Sequence, residues 1–84
     1  MMTRGDGVVV VDAERAGAIL IAHVRVGSAD SAAARLATVC RENGRARISA
    51  VTWAHGGQDA ALSDRAIRGA VLRAADREFA SRWG

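Results

Sequence analysis

The chain has 84 residues, half of them hydrophobic but only three of them aromatic, and a formal net charge of +3. That length holds one domain at most and that hydrophobicity excludes a disordered tail. Its single cysteine, Cys40, excludes an intrachain disulfide and any zinc site built on paired cysteines.

In chain order, Met1 to Asp6 is polar and reads as a loose start to one domain spanning 1–84. Val8 to Val11 is a β-branched run, too short for a helix and suited to a strand. Asp12 to Gly17 reads as a turn and Ala18 to Val26 as a second strand. One face of that strand carries Leu20, Ala22, Val24 and Val26; the other carries Ile19, Ile21, His23 and Arg25. A helix over Asp12 to Ala22 also fits the apolar spacing, and the strand formers in ILIAHVRV favour the hairpin over it.

Gly27 breaks the strand, and Ser28 or Asp30 can cap a helix running to Asn43. Leu36, Val39 and Cys40 share one face of that helix, and Asn43-Gly44 supplies a C-terminal stop. Arg45 to Ala54 follows as an inner strand, with Ile48, Ala50 and Thr52 alternating against Arg47, Ser49, Val51 and Trp53. Short connections on both sides predict a right-handed parallel crossover from the Ala18–Val26 strand. His55-Gly56-Gly57 ends the inner strand, and a second helix runs from between Asp59 and Ser63 to about Arg82. Its apolar face is Ile67, Val71, Leu72, Ala74, Ala75 and Phe79, and Asp64/Arg68 and Glu78/Arg82 are acid-to-base pairs one turn apart. The fold class expected is α+β, a two-layer ββαβα domain with a small mixed sheet and two helices on one face. No apolar run approaches the roughly 20 residues that span a bilayer, and no secretory leader is visible, which predicts a cytoplasmic protein without a membrane partner.

Two stretches, AARLATVCRENGRARISAV (Ala33 to Val51) and ALSDRAIRGAVLRAA (Ala61 to Ala75), give the chain a family likeness. From Val24 onward it resembles the stage V sporulation protein S family, which has an Alba-like fold. There a small-residue helix ends in an R-E-x-G turn and leads into a strand, and a second helix begins with an A-L-x-x-x-A-I pattern. The family continues into a terminal β-hairpin that has no counterpart here, and an N-terminal strand pair stands in its place. The resemblance implies a non-enzymatic dimer that binds DNA or RNA.

The chemistry-bearing residues are few. His23 falls on a strand face as a partly exposed structural residue, His55 lies in the glycine loop, and Cys40 reads as a small core residue. None of them forms a catalytic constellation or a metal-ligand spacing, so no catalytic residue, metal, cofactor or small-molecule substrate is expected. Gly56-Gly57 before a helix reads as a glycine turn rather than a phosphate loop.

All twelve basic residues are arginines, whose planar fork favours phosphate and carboxylate. Arg41, Arg45 and Arg47 cluster around the exit of the first helix, and Arg65 and Arg68 lie in the first turns of the second; these five are the candidate nucleic-acid contacts. A competing reading is a protein-interaction module with no nucleic acid, acting through an apolar sheet face. Two helices cover one side of a sheet, which leaves Ile19, Ile21, Val51 and Trp53 as the expected interface of a homodimer.

Overall fold

The computed structural model describes residues 7–27, 33–53 and 62–84. Among these residues four strands, β1 (Val8–Ala16), β2 (Ile19–Val26), β3 (Arg35–Glu42) and β4 (Arg45–Trp53), precede one helix, α1 (Arg65–Trp83). The sheet order is β1-β2-β3-β4 and every neighbouring pair is antiparallel. The expected ββαβα order, with its second helix and parallel crossover, is thereby corrected to a ββββα meander.

The correction turns on Asn43-Gly44. Asn43 has φ 57° and Gly44 φ 78°, the two consecutive positive values of a type I′ hairpin turn. The same dipeptide stops a helix, because that role also needs a left-handed residue. Here it joins β3 to β4, with Glu42 opposite Arg45. Arg35 to Glu42 then alternates as a strand: Ala37 and Val39 are fully buried, with Leu36, Thr38 and Cys40 between them half-buried. The first hairpin turns at Gly17 and Ala18 rather than over Asp12 to Gly17, and Gly17 alone takes a positive φ, 64°, as in a type II′ turn. Val10 and Asp12 flank a bulge on β1, so the strand continues to Ala16 through the segment expected to turn.

The helix starts where its cap dictates. The Asp64 carboxylate accepts from Ala66 N at 2.8 Å and from Ile67 N at 3.3 Å, satisfying two backbone donors of the first turn. Asp64 therefore caps the helix instead of pairing with Arg68, whereas Arg82 Nε donates to Glu78 Oε2 at 2.6 Å as the spacing predicts. Val71, Ala74, Ala75 and Phe79 are buried, with Ile67 and Leu72 packed against the core.

These helical residues close on Ala22, Val24 and Val26 of β2 and Ala37 and Val39 of β3, with Leu62 joining from the approach to the helix. A 19-residue helix is about 28 Å long and about 10 Å wide. It matches the strands in length, yet it can cover a single face of a sheet whose four strands span roughly 15–19 Å.

Candidate functional site

Residue parity places the side chains, and two bulges modify it. On β2 the odd residues Ile19, Ile21, His23 and Arg25 face away from the helix and are half-buried. Their partners on β3 are Cys40 opposite Ile21, Thr38 opposite His23 and Leu36 opposite Arg25. Outward again, Cys40 faces Arg47, Thr38 faces Ala50 and Leu36 faces Thr52 on β4. On the other edge Glu14 faces Ile21, Asp12 faces His23 and Val9 faces Arg25. The centre of the open face therefore mixes Ile19, Ile21, Leu36 and Cys40 with His23, Arg25 and Thr38, between an edge, β1, that carries Asp12 and Glu14 and an edge, β4, that carries Arg45 and Arg47.

The bulge on β4 explains where the expected interface divides. Thr38 pairs with Ala50 and Val39 with Ile48, so Ser49 is the extra residue. Beyond it the alternation is reversed. Val51 pairs with buried Ala37 and packs against the core beneath the helix, while Ala50 is exposed on the open side. Trp53, two residues further and on the same side, pairs with Arg35, whose guanidinium carbon lies 5.9 Å from the ring centroid. Ile19 and Ile21 lie on the open face, and Val51 and Trp53 do not share it with them.

Among the described residues, four side-chain contacts mark the open face, one of them from Arg25 Nε, which donates to Gly27 O at 3.2 Å. His23 Nδ1 lies 2.6 Å from Asp12 Oδ1, Cys40 Sγ donates to Ser49 Oγ at 3.5 Å, and Ser49 Oγ donates to Thr38 O at 3.3 Å. Cys40 thus belongs to this face rather than to the core under the helix, and His23 and Cys40 share it. Among the described residues no group of three or more His, Cys, Asp or Glu is placed to hold a metal ion. His55, Gly56 and Gly57 lie outside the described residues.

The five candidate arginines separate into two groups. Arg47, Arg65 and Arg68 line one cleft of about 430 Å³ between β4 and α1, over a floor that includes Ala46, Ile48 and Leu72. Among the described residues no carboxylate lines it. Arg65 and Arg68 stand in the opening turns of the helix, where the macrodipole disfavours cations. Arg45 sits exposed at the start of β4, and Arg41 lines a separate cavity of about 410 Å³ beside Phe79 and Trp83 at the other end of the helix. The sequence placed Arg41 with Arg45 and Arg47 through a helix exit that does not form.

Leu36 and Glu14 are the residues sequence reasoning missed. Sequence spacing puts Leu36 on a helix face and Glu14 in a turn. Alternation through RLATVCRE was the available signal for the first, and the period-two continuation past Val11 is hidden by the bulge for the second.

No protein-family model, no curated protein and no solved structure matches the chain. Among the described residues no helix is long and apolar enough to cross a membrane.

Proposed function

We propose that the chain is a non-enzymatic protein-interaction module that works through the open face of its sheet. The observation that carries this reading is the composition of that face: Ile19, Ile21, Leu36 and Cys40 run across its middle, and the helix packs on the other side. A two-layer domain ordinarily exposes polar residues on a solvated sheet face, in alternation with its core residues. Here the open face of β2 keeps two isoleucines, Ile19 and Ile21, beside His23 and Arg25, and a small domain of this length has reason to share a core.

A photoreactive benzoylphenylalanine substituted at Ile21, with a control at the exposed helix position Asp76, tests the reading in intact producing cells. A discrete protein adduct from position 21 and none from position 76 is expected. Absence of an adduct from both 21 and a second open-face position, Leu36, removes the proposal.

Nucleic-acid binding is a second reading, favoured by the convergence of Arg47, Arg65 and Arg68 on one cleft that no carboxylate lines among the described residues. The likeness to the sporulation family adds nothing to it, since the helix that begins the likeness is β3 in this fold. Anisotropy titration against mixed DNA and RNA at two salt concentrations tests it. Phosphate-driven binding weakens steeply as salt rises and is reduced further by Arg68→Glu. No binding at low salt removes this second reading.

A further inference from the structure

We propose that the occupant of the open face is a second copy of this chain, packed face to face about a two-fold axis parallel to the strands. The inference rests on the open face being an interface and adds the partner and its orientation. Its basis is the order of side chains across the sheet. One continuous row of paired residues reads Glu14, Ile21, Cys40, Arg47 from β1 to β4. The next row reads Asp12, His23, Thr38, Ala50. In the first row acid lies on one edge strand, base on the other, and uncharged side chains between them; the second is charged only at its acidic end, and in the third, Val9, Arg25, Leu36 and Thr52, the charge is Arg25 on β2.

A two-fold axis between the sheets and parallel to the strands reverses that order without shifting it along the strands. β1 of each copy then lies over β4 of the other, so Glu14 meets the partner copy's basic edge at Arg47, twice by symmetry. Ile21 comes over the other copy's Cys40 in the same row. These juxtapositions hold to within the roughly 30° by which packed sheets cross.

The other face-to-face arrangement, with the axis perpendicular to the strands, puts β1 on β1 and β4 on β4. That sets Asp12 and Glu14 against their own copies and Arg45 and Arg47 against theirs, which like-charge repulsion opposes. Among the described residues Glu14, Arg45 and Arg47 have no ion pair within the chain, so their charges are available to a partner.

The area is adequate. Four strands of eight or nine residues present a footprint on the order of 500 Å² per copy, and two copies together reach the roughly 1,000 Å² that separates specific interfaces from incidental contacts. The cleft between β4 and α1 lies on the helix side of the sheet and stays outside this contact, apart from Arg47 at the shared rim.

Sedimentation equilibrium on the full chain tests the proposal through charge reversal. Wild type is expected to be dimeric at micromolar concentration. Glu14→Arg and Arg47→Glu, measured singly, each place like charges together twice and weaken the dimer about tenfold or more. An equimolar mixture of the two single variants restores opposite charges at both sites, as does the double variant, and both recover dimerisation. Circular dichroism distinguishes lost pairing from lost fold; where a reversal does not fold, Glu14→Gln and Arg47→Gln replace it, with weakening in the same direction. A monomeric wild type at 100-fold higher concentration, single variants that dimerise as wild type does, or a mixture no tighter than its components overturns the second copy. If adducts from position 21 join a different protein while wild type is monomeric, the partner is wrong and the interface reading stands. If position 21 and position 36 give no adduct at all, both fail.

Discussion

Along β2, Ala22, Val24 and Val26 are buried beneath the helix, while Ile21, His23 and Arg25, one peptide step away from each, remain half in solvent. The buried set is the smaller in side-chain volume. The open set holds an isoleucine and two polar residues, tied to Asp12 and to the strand end through His23 and Arg25. Side-chain size does not assign the faces, since Ile21 on the open side is larger than any of the three buried residues, and His23 and Arg25 make that side the more polar. What assigns the faces is the one apolar surface available to cover either, the face of α1 formed by Val71, Ala75 and Phe79. A single amphipathic helix chooses a side, and the sheet is left with a second face that still shows Ile19, Ile21 and Leu36 to a partner.

Breaking the covered face has the largest expected effect. Val71 is fully buried at the centre of the helix contact. Val71→Asp puts an unpaired charge there at a cost of several kcal/mol and abolishes cooperative melting; a variant with a normal melt would show that the helix packs by another side. The next test contrasts the faces directly. Val24→Thr buries an unpaired hydroxyl and lowers stability by roughly 1–3 kcal/mol. Ile21→Thr, measured in dilute monomer, lowers it by about 1 kcal/mol or less, since its site is already part wet. Equal losses in urea unfolding would erase the distinction between the two faces.

A smaller effect comes from the turn that keeps the faces apart. Gly44 has φ 78°, and a side chain built on it meets nothing within 4 Å, so the penalty of Gly44→Val is conformational rather than a clash. The expected loss is about 1–2 kcal/mol. It should be accompanied by exchange broadening of β4 amides, because a one-residue slip in this hairpin would carry Ile48 to the open side. An unchanged melt would mean that the turn does not set the register.

Much of the molecule was legible in the sequence, and its failures cluster. The helix from Arg65 to Trp83, its buried positions and the strand character of ILIAHVRV and RARISAVTW all follow from periodicity and composition. The segment RLATVCRE does not, because its apolar residues satisfy both a helical stripe at 36, 39 and 40 and a strand alternation at 37 and 39. The turn that follows fits either reading, since a helix stop and a type I′ hairpin both call for a left-handed residue. For the site, Ile19 and Ile21 were placed by alternation alone, while Val51 and Trp53 were misplaced by a bulge that alternation cannot register.

By itself, then, the sequence determined where this chain is apolar, where its backbone can turn, and which face of its one long helix must be buried. These are local properties, decided by side-chain chemistry and by the conformations that asparagine and glycine tolerate. The tertiary structure decided the rest. The central position of β3 follows from pairing on both sides, where β2 and β4 supply hydrogen-bond partners along its length that an isolated segment lacks. The bulge at Ser49 follows from the fit of β4 to its neighbour, and it alone determines that Val51 faces the helix while Ala50 faces the open side. Both depend on contacts between residues distant in the chain, and no local pattern encodes which of two faces such contacts will leave uncovered.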